Sequence, residues 1–226
     1  MGWNEWVRTA EIEPSIYAAD FSRLGEQIET LMQAGSRIFH FDVGDGHFVE
    51  PITIGPIVLK SISPIVHRLG GVLDCHLMVE HPEKHFRQIA EAGGDSVTVH
   101  YEACEDLPDV IRQARRLELG VGVVFNPETD PDDVVAVAGE LVDLVLCMSI
   151  QPGYSGQPFM PEAIPRIRHL RERLPEGVHV QVDGGIGPDN AAEVREAGAN
   201  LLVAGTSVFG HEDIAEAYRG LVQAIS

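Results

Sequence analysis

Along the chain, the spacing of apolar positions alternates between that of a strand and that of a helix. From residue 12 to the C-terminus, short runs rich in β-branched residues alternate with longer segments whose apolar positions recur at helical spacing. The short runs predict eight strands, at Ile12–Ile16, Arg37–Val43, Val72–Met78, Asp95–His100, Val121–Phe125, Val142–Met148, His179–Val182 and Leu201–Ala204. Strands separated by helices in this way predict a parallel sheet.

The segments between the strands have the signals of helices. In Phe21–Gln33, the residues Leu24, Ile28 and Leu31 form an apolar stripe along one side of a helix. A proline inside a helix removes a backbone hydrogen bond, so the segment that contains Pro64 is the least regular of them. The other predicted helices are Ile57–His67, Pro82–Ala92, Leu107–Leu117, Asp132–Ala138, Pro161–Leu174, Pro188–Ala197 and Asp213–Ala224.

Eight strand-helix units in about 215 residues favour one closed (β/α)8 TIM barrel, an α/β fold. We expect residues 1–226 to form this single domain, with a short leader at about residues 1–11, because no linker or low-complexity segment divides the chain. A Rossmann fold is the structural alternative. Its glycine fingerprint is missing, since YAADFSRLG follows the first predicted strand where that fold has GxGxxG.

Charge and cysteine content narrow the class of protein. Thirty-five acidic and sixteen basic residues give a net charge of -19, which argues against a nucleic acid or an anionic membrane as a partner. Cys75, Cys104 and Cys147 are far apart, so neither a disulfide framework nor a thiolate zinc site is indicated, and a reducing compartment is expected. No stretch has the pattern of a membrane span or a signal peptide, which makes a cytoplasmic location the expectation.

Polar side chains occur where the predicted strands end, and in barrels of this kind the chemistry takes place at those ends. His40 and Asp42 are two residues apart and share one face of their strand, while His76 and Asp183 end two other strands. Ser15, Asp74 and Met78 occupy similar positions. Taken alone, each His or Asp is more often a hydrogen-bonded structural residue. Together, two imidazoles and two carboxylates form a set that suits zinc or another divalent transition metal.

Glycine-rich turns follow the last three predicted strands. They begin at Met148, Asp183 and Ala204, and glycine lets backbone N–H groups approach an anion closely. A phosphate between the last strands is common in barrels, although each turn alone could be an ordinary connection. Capture by the backbone would let a chain of charge -19, with only Lys60 and Lys84 as lysines, bind an anionic substrate.

Several segments, in this order, carry a family resemblance: PSI with DF, HFDVGDGHFV, DCHLMVEHP, VHYEA, FNPET, CMSIQPGYSGQPF and QVDGGI. From Pro14 to Ala224 the chain resembles the ribulose-phosphate 3-epimerases. The resemblance implies a (β/α)8 barrel that inverts carbon 3 of a ketose phosphate, D-ribulose 5-phosphate to D-xylulose 5-phosphate. It also implies a homo-oligomer with one divalent metal ion per subunit, zinc first, with iron, manganese or cobalt as alternatives.

The resemblance also implies roles for individual residues. His40, Asp42, His76 and Asp183 match the metal ligands, and Asp42 with Asp183 matches the acid/base pair. The matching substrate-contacting residues are Ser15, Met78, Met148, Gly153, Tyr154, Ser155, Gly156, Gln157, Gly184, Gly185, Gly205 and Thr206. His100, in VHYEA, is expected to order a loop, and Trp3 and Trp6 are expected to close the bottom of the barrel or to meet a partner subunit.

Two departures from the family pattern concern the substrate. Gly44 stands where the family usually has Met, and Tyr17 stands where Leu is common. We expect Gly44 to open space over the sugar and Tyr17 to refill it, so a different ketose phosphate, such as a hexulose 6-phosphate, is an alternative substrate. A noncatalytic sugar-phosphate-binding barrel is a second alternative. A metal-independent phosphate barrel that uses a Schiff base is disfavoured, because neither Lys60 nor Lys84 lies at a strand end.

Overall fold

Eight parallel strands form one sheet in the computed structural model, which describes residues 2–226. The strands are β1 (Glu11–Pro14), β2 (Ile38–Gly44), β3 (Val72–Met78), β4 (Ser96–His100), β5 (Gly120–Phe125), β6 (Leu144–Met148), β7 (His179–Asp183) and β8 (Leu201–Ala204). Each strand pairs with the next from β2 to β8, and β8 pairs with β1. A bridge between Ser15 and His40 joins the two remaining edges, so the sheet forms a nearly closed (β/α)8 barrel, as predicted.

The helices surround this sheet. They are α1 (Trp3–Trp6), α2 (Leu24–Ala34), α3 (Pro56–Arg68), α4 (Phe86–Ala92), α5 (Leu107–Arg115), α6 (Pro131–Ala138), α7 (Ala163–Arg173), α8 (Ala191–Glu196), α9 (Thr206–Phe209) and α10 (Ile214–Ala224). Pro64 lies inside α3 without ending it. The predicted stripe of Leu24, Ile28 and Leu31 is buried against the sheet. No helix in residues 2–226 is long and apolar enough to cross a bilayer.

The main difference from the predicted strands is at β1. The strand was expected to reach Ile16 but ends at Pro14, because the chain then turns into a 3₁₀ helix at Ile16–Ala18. The Ser15 N–H still donates to the carbonyl of Ala204 at 3.0 Å. This turn leaves the Ser15 side chain at the end of the strand, next to the ends of β2 and β8.

The interior of the barrel is apolar at one end and polar in the middle. At the N-terminal end, Trp3 is 2% exposed and packs with Ile38, Leu144 and Leu201. The Trp6 ring meets that of Trp3 edge to face, 5.2 Å between ring centroids. Trp3 thus closes the bottom of the barrel, which was one of the two roles expected of it.

The polar layer lies above this floor and includes buried Glu13, Asp74 and Gln181. The Gln181 amide donates to Glu13 Oε2 at 2.5 Å and to Asp74 Oδ2 at 3.0 Å. Ser96 Oγ donates to Asp74 Oδ1 at 2.7 Å. Burial, together with the neighbouring Asp74 carboxylate, raises the pKa of Glu13 well above its usual value. A protonated Glu13 fits a buried layer in which polar groups are stabilised by hydrogen bonds to one another.

Candidate active site

Three strands bring four of the predicted residues together at the C-terminal end of the barrel. His40 and Asp42 lie on β2, His76 on β3 and Asp183 on β7, and one donor atom from each lies within 4.8 Å of all the others. The register of the sheet places Asp42 directly beside His76. Asp42 Oδ1 is 3.2 Å from His40 Nε2 and 3.1 Å from His76 Nδ1. The convergence that spacing along the chain could only suggest is therefore present in the fold.

The two carboxyl groups of this cluster have different electrostatic surroundings. Burial alone would raise the pKa of Asp42, but the His40 and His76 side chains outweigh it and hold that pKa below its usual range. Burial and the nearby Asp42 carboxylate raise the pKa of Asp183 to about 6. The Ser15 hydroxyl donates to Asp42 Oδ2 at 2.7 Å and fixes the orientation of that carboxylate. Two carboxyl groups whose pKa values are driven apart are suited to opposite roles in proton transfer.

The same cluster has the donor set of a divalent-cation site. Two imidazole nitrogens and two carboxylate oxygens are ligands that zinc and related transition metals accept. Nε2 of His40 is fully buried and makes no hydrogen bond with a protein group. An unsatisfied buried nitrogen, 3.2 Å from the Asp42 carboxylate, is costly without a further partner, and a cation would supply one. The residues present therefore fit a metal ion.

A cavity opens above the cluster, and its empty space, including the open solvent at its mouth, is about 530 Å³. It is lined by Ser15, Tyr17, Asp42, Met78, Met148, Ile150, Gly153, Tyr154, Ser155, Gly156, Asp183, Gly184, Gly185, Ile186, Val203, Gly205 and Thr206. Among the predicted substrate contacts, Gln157 lies outside this lining. Its amide donates to the carbonyls of Gln151 and Tyr154, so it holds the turn after β6 in shape.

Glycines form the side of the cavity between β7 and β8. Gly184 and Gly185 have φ values of 122° and 63°, which side chains rarely adopt, and a Cβ on Gly184 would lie 2.5 Å from Ile150 Cγ1. The lining contains no lysine or arginine. An anion on this side of the cavity would therefore meet backbone N–H groups and the hydroxyls of Ser155 and Thr206.

The expectation that Gly44 opens the cavity is wrong. A Cβ at Gly44 would lie 3.0 Å from Val49 Cγ2, 3.0 Å from the Pro51 carbonyl oxygen and 3.1 Å from Thr53 Cγ2. The loop after β2 folds back over Gly44 and fills that space, and Gly44 is absent from the lining. Tyr17 does line the cavity, so the second departure from the family pattern does lie at the site.

His100, which was expected to order a loop at this face of the barrel, contacts the cluster directly. Its ring stacks on that of His76, with 5.0 Å between centroids, and the two Nε2 atoms are 2.9 Å apart. The Phe48 ring lies 4.5 Å from the His100 ring, measured between centroids. A carboxylate oxygen of Glu102 lies 3.4 Å from His100 Nδ1. The available signal was alternation along β4, which directs His100 to the same interior face as Thr98 and Ser96.

Known proteins are similar to this chain over most of its length. The family model described as "Ribulose-phosphate 3 epimerase family" matches residues 11–209. The ribulose-phosphate 3-epimerase of Synechocystis sp. is 44% identical over 215 residues, 93% of this chain and 92% of the relative. That of Bacillus subtilis is 40% identical over 207 residues, 90% and 94% of the two chains. The solved structure of 3-hexulose-6-phosphate synthase from Salmonella typhimurium has a TM-score of 0.71, covering 95% and 98% of the two chains at 15% identity, and so shares the fold.

Proposed function

Because the chain belongs to the ribulose-phosphate 3-epimerase family, we propose that it interconverts D-ribulose 5-phosphate and D-xylulose 5-phosphate by inverting carbon 3. The observation that carries the proposal is the pair of carboxyl groups, buried Asp42 and partly exposed Asp183, at the base of a cavity with an uncharged, glycine-rich side. The reaction is an isomerisation, and its two proton transfers need one ionised and one protonated group.

The carbonyl at carbon 2 makes the proton on carbon 3 acidic enough to be removed. Asp42, held ionised by its histidine neighbours, takes that proton as the C–H bond breaks on one face of the sugar. Asp183, whose pKa is raised to about 6, donates a proton to the other face as the new C–H bond forms. The roles are exchanged in the reverse direction, so each turnover leaves the enzyme ready to act on the opposite epimer.

His40, Asp42, His76 and Asp183 would hold one divalent cation, zinc first, with iron, manganese or cobalt as alternatives. When bound, the cation would act as a Lewis acid toward the negative charge that develops on the substrate oxygens. The protein supports this arrangement in two ways. Ser15 orients Asp42 through its hydrogen bond, and the thioethers of Met78 and Met148 line the cavity and keep water from the reacting carbon.

The phosphate of the substrate would lie between β7 and β8. Gly184, Gly185 and Gly205 let the backbone come close to it, and Ser155 and Thr206 offer hydroxyl donors. Binding by backbone dipoles suits a chain that carries a net charge of -19, because no lysine or arginine is needed in the cavity.

Incubation in deuterated water tests the proposal. The purified protein is mixed with ribulose 5-phosphate, xylulose 5-phosphate and a panel of hexulose 6-phosphates, and NMR follows deuterium at carbon 3 together with epimer formation. Exchange with inversion, fastest for the two pentulose phosphates, is the expected result. Faster inversion of a hexulose phosphate would make that sugar the substrate in place of the pentulose phosphates. Binding without exchange would support a noncatalytic barrel.

A further inference from the structure

His76 has two ring nitrogens with different neighbours. Nδ1 faces the carboxylates of the active site, 3.1 Å from Asp42 Oδ1 and 4.0 Å from Asp183 Oδ2. Nε2 faces away from them, 2.9 Å from Nε2 of His100. Since a hydrogen bond between two nitrogens needs one donor and one acceptor, one of these rings has its hydrogen at Nε2 and the other does not.

Glu102 decides which ring that is. Its Oε1 accepts from the Asn126 N–H at 2.8 Å and from the Thr129 hydroxyl. Its Oε2 lies 3.4 Å from His100 Nδ1. An ionised carboxylate can only accept hydrogen bonds, and these contacts with donors favour the ionised form. Nδ1 of His100 makes no well-aligned hydrogen bond, but the ionised carboxylate beside it favours a hydrogen there over a lone pair.

The tautomers of both histidines follow in order. His100 is completely buried between the rings of Phe48 and His76, and such an apolar, water-free position favours a neutral ring with a single hydrogen. With its single hydrogen on Nδ1, His100 accepts at Nε2. His76 must then donate from its own Nε2, which leaves Nδ1 of His76 with a free lone pair directed at Asp42 and Asp183.

We propose that His100 and Glu102 are positioning residues that fix the tautomer of His76, so that its Nδ1 lone pair is presented to a divalent cation. The inference rests on the proposed function, because it takes His76 as a cation ligand. The other histidine of the cluster has a parallel arrangement, since Nδ1 of His40 lies 3.3 Å from the Asp74 carboxylate. Groups behind metal-binding histidines commonly orient the ring and raise metal affinity in this way.

Glu102→Gln is the sharpest variant, because it changes the hydrogen-bonding capacity and leaves the shape nearly unchanged. The amide oxygen is expected at the Oε1 position, where Asn126 and Thr129 donate, so the NH2 group faces His100. It would donate to Nδ1, move the His100 hydrogen to Nε2 and force His76 to carry its own hydrogen on Nδ1. We expect zinc affinity to fall about 10- to 100-fold.

His100→Gln and His100→Leu form a matched pair. Glutamine can place an acceptor oxygen near the position of Nε2, whereas leucine fills similar space without an acceptor. Zinc affinity is measured for all three variants and the wild type by competition with a chelator, and circular dichroism checks the fold. Long-range ¹H–¹⁵N spectra of histidine-labelled, zinc-free wild type report which nitrogens of His76 and His100 carry hydrogen.

The expected result is strong zinc binding by the wild type and by His100→Gln, and weak binding by His100→Leu and Glu102→Gln. Equal losses of zinc affinity in the two His100 variants would mean that His100 acts only through packing, and would overturn the proposal. Unchanged affinity in Glu102→Gln, or a hydrogen on Nδ1 of His76 in the wild type, would also overturn it. A wild type that binds no divalent cation would instead contradict the metal part of the proposed function.

Discussion

Asp42 and Asp183 present carboxylate oxygens within 4.8 Å of each other from strands that are separated by β1 and β8. They are close enough to share one substrate and one cation. Burial acts on both groups, but Asp42 is stabilised as an anion by two histidines while Asp183 is destabilised as an anion by Asp42. The barrel thus makes two chemically identical side chains unequal, and that inequality is what an acid/base pair requires.

Replacing either carboxyl group by an amide should stop inversion but leave exchange on one face. In Asp183→Asn, Asp42 can still remove and return the proton on its own side, so deuterium should enter only one of the two epimers. Asp42→Asn should exchange the opposite epimer. We expect epimerisation to fall by about 10²- to 10⁴-fold in each variant, measured by NMR in deuterated water.

The control for this pair is Asp189→Asn, an exposed position outside the cavity lining, which should turn over like the wild type. Metal content is measured in parallel, because Asp42 and Asp183 also belong to the donor set. Near-normal inversion by either active-site variant would remove that residue from the acid/base pair.

Removal of the cation should lower both activity and stability. At a free metal concentration of 100 times Kd, a single site adds about 2.7 kcal/mol to the free energy of unfolding. Chelation should abolish that increment, and added zinc should restore it. His40→Ala and His76→Ala should show no increment, whereas the exposed His211→Ala should behave as the wild type. One equivalent of metal retained by both active-site variants would contradict the ligand assignment.

Glu102 should give the protein a stability component that depends on pH. Burial would raise its pKa, but the neighbouring His100 ring and the hydrogen bonds from Thr129 and Asn126 outweigh it and lower that pKa to about 2. Because the folded pKa is below the usual value of 4.5, this stability is present above about pH 4.5 and is lost as the pH falls toward 2. The full effect is on the order of 3 kcal/mol.

Urea unfolding of the metal-free protein at several pH values between 7 and 3 measures this component. The difference in unfolding free energy between the wild type and Glu102→Gln should shrink as the pH falls. A difference that stays constant over that range would mean that Glu102 has an ordinary pKa in the folded protein.

Gly44→Met should destabilise the protein without restoring a family-like pocket. The loop residues Val49, Pro51 and Thr53 already occupy the space, and overpacking costs about 1–3 kcal/mol. Substitution of methionine at Gly220, where no atom lies within 4 Å of an added Cβ, should not be destabilising and is the matched control. The melting temperatures of both variants test this prediction. An unchanged melting temperature in Gly44→Met would show that the loop after β2 can move to accommodate the methionine.

The barrel could be predicted because its signals are local. The period of apolar residues separates strands from helices within a few residues, and eight repeats of that pattern leave few folds to consider. Helix α3 continues through Pro64, although the proline made this segment the least regular of the predicted helices. The four-residue His and Asp cluster could be predicted because parallel strands end at the same side of a barrel.

Features that depend on distant partners could not be predicted. Glu13 lies in a predicted strand, but nothing local shows that it is buried and that the Gln181 amide, 168 residues away, donates to it. His100 was expected only to order a loop, since nothing local shows that its ring stacks on His76. Gly44 was misjudged for the same reason, because the atoms that fill its space belong to a loop whose path the strand pattern does not specify.

The position of α1 determines what intrinsic fluorescence can report. The chain has two tryptophans, Trp3 and Trp6, and Trp3 is buried at the floor of the barrel, at the end opposite the active site. Tryptophan emission is therefore a probe of the floor alone, and substrate binding should leave it nearly unchanged. During denaturation the emission follows the release of α1, whereas far-ultraviolet circular dichroism follows the whole barrel. Coincidence of the two curves would mean that floor and barrel unfold as one cooperative unit.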